Sequence, residues 1–484
     1  MRAGWQLSPL AASIMFCATP ALAGTGTVTI ETATPGAVIS PYLRGVNMAN
    51  WFDPTQAGIV SALTGAAVRA VRWPGGSASD LFHWQSNTEC DGGYVDANAT
   101  FDTFIAKVAV PAKLNVAVTL NYGTNIACTG PGDPNEALAW VDHSVAIKAP
   151  VTYWTVGNEV YGSWETDLHT KPNDATTYAQ AVATGYYPLI KKKHPNAQVG
   201  VVVYPGWSPA WYPIVLAQAK YDFVELHFYA QEPGSESDAY LLQQAPQALT
   251  ALVKQLKTEL ATAGHPDTPI YLGEVGSVSY NPGKQTTSIT QALYAGMALS
   301  ELMQVGGVDR ATWWIGFGGC SDASDGGNFS SSLYGWQAFG GYMIFSDGLP
   351  EYGCSNAPAL KLGTPLPTAR ALTLISKVTT LGQHMLPVKL AGTPSTLRAY
   401  AMTYGTGYAA VLFNLDETAA ANLTVSVSGL AAGTAVTTRY DKAAYDKSRS
   451  DVWAGLTVKS LGAWTGTVPV SLTPWSMTVL TILP

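Results

Sequence analysis

Short apolar runs recur along the chain up to Phe317, and most of them are followed by a longer segment with helical spacing. The runs are continuous rather than alternating, which is typical of parallel strands buried on both faces. The predicted strands are Leu43–Met48, Val68–Trp73, Asn115–Asn121, Tyr153–Asn158, Val199–Val203, Phe223–Tyr229, Ile270–Glu274 and Ala311–Phe317. The segments in which Ala, Leu and Val recur at helical intervals are Phe101–Ala112, Asn135–Lys148, Asp174–Lys193, Ala239–Ala263 and Thr287–Val305.

This alternation predicts an α/β fold, a (β/α)8 TIM barrel over residues 41–380. A doubly wound open sheet is the alternative, and it is disfavoured because no Gly-rich phosphate-binding loop follows the first strand. Asp174 and Ser288 are expected to cap the N-termini of two of the barrel helices. The last barrel helix is predicted over Pro367–Val378.

The pattern changes from Gln383 onward, where short alternating strands rich in Thr, Val and Ala are separated by turns with Gly. This predicts a β-sandwich domain over residues 381–484. A further strand-like run, Thr25–Glu31, lies within residues 24–40 ahead of the barrel, and we expect it to join the sandwich. The predicted C-terminal strands are Leu397–Thr403, Gly407–Asn414, Ala421–Val427, Ala435–Tyr440, Val468–Leu472 and Met477–Ile482.

Composition narrows the classes of function. With 47% hydrophobic and 12% charged residues the chain can bury enough surface to fold, so disorder is excluded. A net charge of −7 argues against nucleic acid and against anionic membrane surfaces as partners. The 15 Trp and 24 Tyr residues are typical of proteins that stack flat ligands such as sugars.

The N-terminus predicts export. Arg2 precedes a moderately apolar run, and Ala21-Leu22-Ala23 has the small-x-small pattern of a signal-peptidase site. Residues 1–23 are therefore interpreted as a signal peptide of a secreted protein, extracellular or periplasmic. A membrane anchor is the alternative, and polar residues and Pro9 interrupt the apolar run that it needs.

Export makes disulfides plausible for the four remaining cysteines. The order of the predicted loops favours Cys90–Cys128 and Cys320–Cys354 among the three possible pairings. No cysteine lies in a CxxC motif or near a histidine at metal-binding spacing, so no metal is expected. Acidic and amide residues near Cys320 could bind calcium, but a solvated loop is the preferred interpretation; these residues are Asp322, Asp325 and Asn328.

Two glutamates end predicted barrel strands. Glu159 follows the fourth strand and Glu274 ends the seventh. The functional residues of TIM barrels lie at the carboxyl ends of the strands, and these two strands face each other across the barrel mouth. A pair of carboxylates so placed suits glycoside hydrolysis with retention, one as nucleophile and one as acid and then base. Structural ion pairing is the alternative for each glutamate alone.

These residues resemble those of clan A glycoside hydrolases, retaining enzymes on a TIM barrel. Five motifs are similar to the family 51 α-L-arabinofuranosidases and to families 39, 44 and 79, which also join a barrel to a β-sandwich. In the arabinofuranosidases an Asn commonly stands at the position of Ser77. The motifs are Ile39–Gly45, Val71–Gly76, Asn121–Thr124, Gly157–Gly162 and His227–Tyr229.

The resemblance implies that Glu159 is the acid/base and Glu274 the nucleophile. We expect Arg72 and Tyr229 to hold Glu274 ionised, and Trp154, Val160 and the charge of Glu274 to keep Glu159 protonated. His227 is either a substrate contact or a core histidine, and only one of two adjacent tryptophans can face the site. The residues expected to bind substrate are Arg72, Asn121, Asn158, His227, Tyr229 and either Trp313 or Trp314.

The sequence thus predicts a secreted retaining glycoside hydrolase that acts on plant or microbial polysaccharide or oligosaccharide and needs no cofactor. An α-L-arabinofuranosidase is the leading hypothesis. An endo-β-glycanase on glucan or xylan, or an exo-β-glycosidase, is the alternative on the same scaffold. A non-catalytic carbohydrate-binding protein is the more remote alternative, and the presence of both glutamates speaks against it.

Overall fold

The structure is a computed structural model that describes residues 24–206, 210–348, 360–379, 382–449 and 455–484. Two sequence predictions lie outside these ranges, the signal peptide over residues 1–23 and the participation of Cys354 in a disulfide. Within the described ranges, no helix is long and apolar enough to cross a lipid bilayer.

Eight parallel strands close into a barrel in the order β2-β3-β6-β7-β8-β9-β10-β11. Each of the eight lies at a position where the sequence predicts a strand, so the TIM barrel is confirmed. The strands up to the end of the barrel are β1 Gly24–Ile30, β2 Gly45–Asn47, β3 Ala70–Trp73, β4 Phe82–His83, β5 Thr88–Glu89, β6 Asn115–Leu120, β7 Val151–Val156, β8 Gln198–Val202, β9 Phe223–Gln231, β10 Ile270–Val278 and β11 Val308–Trp313. The short strands β4 and β5 form a hairpin in the loop that follows β3.

Helices surround the barrel and bury the outer side chains of its strands. Asp174 accepts a hydrogen bond from the backbone N–H of Thr177, and Ser288 accepts one from Thr290, so both predicted caps are present. The described helices are α1 Ile59–Gly65, α2 Phe101–Phe104, α3 Pro134–Ala146, α4 Ala175–Ala181, α5 Tyr187–Lys193, α6 Trp211–Gln218, α7 Asp238–Gln243, α8 Ala245–Thr262, α9 Ile289–Val305, α10 Pro367–Ser376 and α11 Lys442–Lys447. Single π-helical segments continue α2 and join α4 to α5.

The C-terminal strands form two sheets, as the alternating pattern predicts. One sheet has the order β15-β1-β18-β21, and the other has the order β14-β16-β17-β22-β19-β20. The remaining strands are β12 Cys320–Ser321, β13 Gly340–Gly341, β14 Met385–Leu386, β15 Val388–Ala391, β16 Leu397–Tyr404, β17 Gly407–Asn414, β18 Ala421–Val427, β19 Ala432–Asp441, β20 Thr457–Thr465, β21 Val468–Leu472 and β22 Ser476–Leu483. The N-terminal strand β1 pairs in parallel with β18 and antiparallel with β15, so it does join the sandwich.

The sandwich packs against the barrel through α9 and α10. Met477 of β22 and Phe413 of β17 belong to the same buried apolar cluster as Leu299 of α9. The hydroxyl of Tyr400 in β16 donates a 2.7 Å hydrogen bond to Glu301 on α9. Apolar and polar contacts therefore fix the sandwich on the helix that follows the seventh barrel strand.

Cys90 and Cys128 form a disulfide with a Cα–Cα distance of 5.3 Å. The bond joins the loop after β3 to the loop after β6, which are neighbouring loops at the carboxyl ends of the barrel strands. This is the pairing that the loop order predicts. The Cys320–Cys354 pairing stays a prediction, since Cys354 lies outside the described ranges.

We expect the double variant Cys90→Ser/Cys128→Ser to lose about 2–4 kcal/mol of stability, because the disulfide restricts the unfolded chain. Thermal unfolding of the variant and the wild type under non-reducing conditions measures the loss. Peptide mapping of the oxidised protein provides the matching check on connectivity. A peptide that joins Cys128 to Cys320 would contradict both predicted pairings.

Candidate active site

Glu159 and Glu274 converge at the mouth of the barrel. Glu274 lies within β10, and Glu159 follows β7, which is three strands away around the ring. One carboxylate oxygen of Glu159, one of Glu274 and one ring nitrogen of His227 lie within 4.8 Å of one another. Glu274 is buried, whereas the side chain of Glu159 keeps 19% of its surface exposed. Two carboxyl groups thus face one small space that is open to solvent on the side of Glu159.

Arg72 lies beneath this space and is completely buried. Its Nη1 donates a 3.0 Å hydrogen bond to Glu274, and its Nη2 donates one of 2.6 Å to the side-chain oxygen of Asn158. Its Nε lies 2.9 Å from Glu225. Burial alone would lower the pKa of Arg72, but the charges of Glu225 and Glu274 raise it above its ordinary value. The guanidinium therefore stays charged and orients Glu274.

Tyr229 holds the second oxygen of Glu274. Its hydroxyl donates a 2.5 Å hydrogen bond to Oε2, while Arg72 occupies Oε1. Burial, and then the charge of Glu274, raise the pKa of Tyr229 well above its ordinary value, so the phenol keeps its proton and remains a donor. Both oxygens of Glu274 thus accept hydrogen bonds, which fix the orientation of the carboxyl group.

Glu159 is bound in a way that the sequence interpretation did not anticipate. His227 Nδ1 lies 2.8 Å from Glu159 Oε1, and the indole N–H of Trp164 donates a 2.8 Å hydrogen bond to Oε2. Burial raises the pKa of Glu159, but the hydrogen bond and charge of His227, with smaller contributions from Trp164 and Arg72, lower it below its ordinary value. The expectation that Glu159 stays protonated in the free protein is therefore wrong.

The reason for this error lies in the direction of the neighbouring side chains. Trp154, which was expected to shield Glu159, packs edge-on against Trp140 of α3 and so faces the helices. His227, by contrast, faces the interior. Burial lowers its pKa, but the charge of Glu274 and the hydrogen bonds to Glu159 and Glu225 raise that pKa to about 10. In the free protein an imidazolium therefore faces the carboxylate of Glu159.

Glu225 completes the network and was missed by the sequence analysis. It is buried in β9, where it contacts Arg72, accepts a hydrogen bond from Thr155 and lies 3.0 Å from His227 Nε2. A Cβ on Gly273 of β10 would lie 2.1 Å from Glu225, so only glycine leaves room for this carboxylate. Glu225 alternates with His227 and Tyr229 along one strand face, and that period of two was the available signal.

Asn158 connects this network to a second set of buried acids. Its amide donates a 2.9 Å hydrogen bond to Glu165, which also accepts one of 2.8 Å from Ser77. Burial, and then the charges of Asp80 and Glu159, raise the pKa of Glu165 well above its ordinary value. The backbone N–H of Asn158 donates to Asp80. Glu165 and Asp80 were also missed, because neither ends a predicted strand.

Of the two adjacent tryptophans, Trp313 lies in the core and Trp314 contacts a loop. Trp313 is buried and packs edge-on against Tyr294 of α9, so it faces the helices. Trp314 is half-buried and packs edge-on against Trp51. A Cβ on Gly76, whose φ is +66°, would lie 2.6 Å from the ring of Trp314, so this ring lies directly on the loop after β3.

Asn121 has its side chain engaged within its own loop. Its amide nitrogen donates hydrogen bonds to the carbonyl of Phe82 and to the hydroxyl of Thr124, at 3.2 and 3.1 Å. Among the described residues it has no hydrogen bond to either glutamate. Its expected contact with substrate stays a prediction.

Glu159, His227 and Glu274 also have the ligand types of a metal site. The groups around them disfavour a cation, since Arg72 contacts Glu274 and His227 carries a proton in its pair with Glu159. The prediction that the protein needs no metal or cofactor is therefore compatible with the charges at this site, and it stays a prediction.

Comparison with known proteins relates this arrangement to solved structures. No protein-family model and no curated protein sequence matches the chain. The GH51 α-L-arabinofuranosidase of Thermotoga petrophila superposes with a TM-score of 0.71 at 17% identity, covering 95% of this chain and 100% of the other. The GH51 arabinofuranosidase of Xanthomonas axonopodis pv. citri gives 0.71 at 18%, with 95% and 100% covered.

A xyloglucanase from glycoside hydrolase family 44 of Paenibacillus polymyxa is also similar, with a TM-score of 0.65 at 13% identity over 96% of this chain and 100% of the other. The match extends over nearly the whole length of each protein, barrel and sandwich together. This chain has the barrel-and-sandwich fold that these family 51 and family 44 glycoside hydrolases share.

Proposed function

We propose that the protein is a retaining glycoside hydrolase with Glu274 as nucleophile and Glu159 as acid/base. The observation that carries the proposal is the approach of the two carboxyl groups at the mouth of a TIM barrel. One oxygen of Glu159 lies within 4.8 Å of one oxygen of Glu274. Retaining enzymes need a separation of roughly 5–5.5 Å, whereas inverting enzymes need roughly 6.5–9.5 Å to admit a water. The spacing therefore favours retention.

In the first step Glu274 attacks the anomeric carbon and the glycosidic bond breaks, while Glu159 gives a proton to the departing oxygen. In the second step Glu159 takes a proton from water, which displaces Glu274 and releases the sugar. Arg72 and Tyr229 each donate a hydrogen bond to one oxygen of Glu274 and so fix its orientation. We assign to Asn158, which is held between Arg72 and Glu165, the binding of a hydroxyl next to the anomeric carbon.

The proton for the first step comes from the Glu159–His227 pair. We infer that in the free protein this proton lies on His227, because the pKa of His227 is raised to about 10 and its Nδ1 lies 2.8 Å from the carboxylate. A sugar bound over the pair removes water, and a low dielectric disfavours separated charges relative to a neutral acid and a neutral imidazole. Substrate binding thus moves the proton from His227 to Glu159, where the leaving group needs it.

The leading substrate class is the α-L-arabinofuranosides of plant or microbial polysaccharides and oligosaccharides. The support is the fold shared with the two GH51 arabinofuranosidases and the motifs around Arg72, Asn158 and Tyr229. An endo-β-glycanase is the second candidate, because a xyloglucanase and a bifunctional glucanase-xylanase have the same fold. The predicted signal peptide and the Cys90–Cys128 disulfide support action outside the cytoplasm.

A panel of aryl glycosides and polysaccharides tests the substrate class. We expect release of arabinose from α-L-arabinofuranosides, with the first-formed sugar keeping the anomeric configuration of the substrate in proton NMR. Oligosaccharides from internal cleavage of glucan or xylan would favour the endo-glycanase. An inverted product would exclude the double displacement, and sugar binding without turnover would indicate a non-catalytic binding protein.

The division of labour between the glutamates is tested first with Glu274→Ala. This variant should lose activity on every substrate by several kcal/mol of barrier, on the order of 10⁴-fold or more, because no covalent intermediate can form. Azide should restore some activity and give a glycosyl azide of inverted configuration, since the anion enters from the side of the missing carboxylate. Circular dichroism confirms that the variant is folded.

Glu159→Ala should behave differently with the same substrates. Glycosides with poor leaving groups should lose most activity, whereas an activated dinitrophenyl glycoside should still glycosylate Glu274, and the intermediate should accumulate. Azide needs no general base, so it should restore turnover and give a glycosyl azide of retained configuration. Exchanged azide stereochemistry between the two variants would exchange the roles, and no rescue of either folded variant would refute the mechanism.

His227→Asn tests the source of the proton. In the wild type the pair keeps one proton until His227 loses it, and the pKa of His227 is raised to about 10. In the variant Glu159 must hold the proton alone, so the alkaline limb of the kcat/KM profile should move to lower pH. The matched control Tyr229→Phe also removes a hydrogen bond but should leave that limb in place. An unchanged limb in His227→Asn would contradict the proton transfer.

A further inference from the structure

One buried carboxylate binds the ends of two neighbouring barrel strands. Asp80, in the loop after β3, has no exposed surface. Its Oδ1 accepts hydrogen bonds of 2.9 and 3.2 Å from the backbone N–H groups of Tyr122 and Gly123, just beyond β6. Its Oδ2 accepts one of 2.8 Å from the N–H of Asn158, just beyond β7. One side chain therefore links three consecutive loops of the catalytic face.

The hydrogen bond from Asn158 to Asp80 lies in the middle of a sharp backbone turn, Gly157–Glu159, which is the Asn158–Glu159 corner. Gly157 has φ of +76° and Glu159 has φ of +40°, so both residues that flank Asn158 are in the left-handed region. A Cβ on Gly157 would lie 2.4 Å from Val160, which makes glycine necessary there. Glutamate is disfavoured at positive φ, and such a conformation persists only where its surroundings hold it.

Burial of the charged Asp80 side chain away from water is energetically unfavourable. Burial raises its pKa to about 7, although hydrogen bonds from three backbone N–H groups act in the opposite direction and the charge of Asp167 raises it further. No salt bridge to Asp80 is present among the described residues. Among the described residues, the carboxylate accepts its hydrogen bonds from backbone N–H groups, and one of these three groups, that of Asn158, belongs to the corner that carries Glu159.

We propose that Asp80 is a positioning residue that holds the Asn158–Glu159 corner and thereby aims Glu159 at the leaving-group oxygen. This inference rests on the proposed function. Asp80 has no hydrogen bond to Glu159 or Glu274, so it acts through the backbone of Asn158. A small displacement of a reacting group has a large effect on rate, and here the displaced group would be the acid/base and not the nucleophile.

The difference between the two glutamates gives the inference a specific signature. Arg72 and Tyr229 hold Glu274 from other strands, so attack by Glu274 should survive loss of the Asp80 tie. Protonation of the leaving group should not survive it. Loss of activity should therefore grow as the leaving group becomes poorer, a dependence that a general packing defect does not produce.

Asp80→Asn is the variant of choice, because it keeps shape and volume while one oxygen becomes a nitrogen that cannot accept a hydrogen bond. The remaining oxygen should stay with Tyr122 and Gly123, so the tie to Asn158 is the one that is lost. Aryl and alkyl glycosides of the sugar that the wild type cleaves form the substrate series. We expect kcat/KM, which reports the first step, to fall at most about fivefold for the dinitrophenyl glycoside and about 100-fold for the alkyl glycoside.

Azide gives a second, independent measurement. With the dinitrophenyl glycoside, azide should raise the kcat of Asp80→Asn, because the second step of this variant lacks a well-placed base. The kcat of the wild type should stay unchanged. Ser79→Ala is the matched control, because Ser79 is a buried neighbour in the same turn whose hydroxyl has no hydrogen-bond partner within the described part of the chain. It should show the wild-type dependence on leaving group.

If Asp80→Asn does not fold, Asp80→Ser serves in the same comparison, since its hydroxyl accepts hydrogen bonds and leaves room for water. An equal loss for all leaving groups, without an azide effect, would overturn the positioning role while leaving the glycosidase intact. A wild type that cleaves no glycoside would instead overturn the proposed function, and the inference with it.

Discussion

The buried guanidinium of Arg72 is the interaction on which the rest of the site depends. It compensates the charges of Glu225 and Glu274, which are both buried at the barrel mouth. Two carboxylates without that cation would be too costly to desolvate, and one of them would take up a proton. Because Arg72 also binds Asn158, the same charge sets the orientation of the residue next to Glu159. Arg72 therefore determines both the charge balance and the geometry of the site.

The sequence predicts the barrel and its two strand-end glutamates for a simple reason. Continuous apolar runs such as Val199–Val203 report burial on both faces, and position at a strand end does not depend on distant contacts. The environment of Glu159 could not be predicted in the same way. Its controlling partner, His227, lies on another strand 68 positions away, while its sequence neighbour Trp154 faces the helices.

Asp80 and Glu165 show the same limit. Each is a single acid in a loop, and an isolated acid in a loop is usually solvated. Only the closed barrel brings Asp80 next to the N–H of Asn158, 78 positions later. Glu165 is buried, and hydrogen bonds from Ser77 and Asn158 compensate its carboxyl group there. The burial of such residues cannot be predicted from the sequence, because they belong to no periodic pattern of apolar positions. It follows from the packing of loops that come after different strands.

The insertion of β1 between β15 and β18 makes the C-terminal domain dependent on the first described strand of the chain. An inner strand of that sheet is synthesised before the whole barrel, and the strands on either side of it follow about 360 positions later or more. The sandwich cannot be treated as a portable module, because residues 381–484 alone would leave β15 and β18 as open edges prone to aggregation. Any exchange of this domain between proteins of this fold has to carry both ends of the polypeptide.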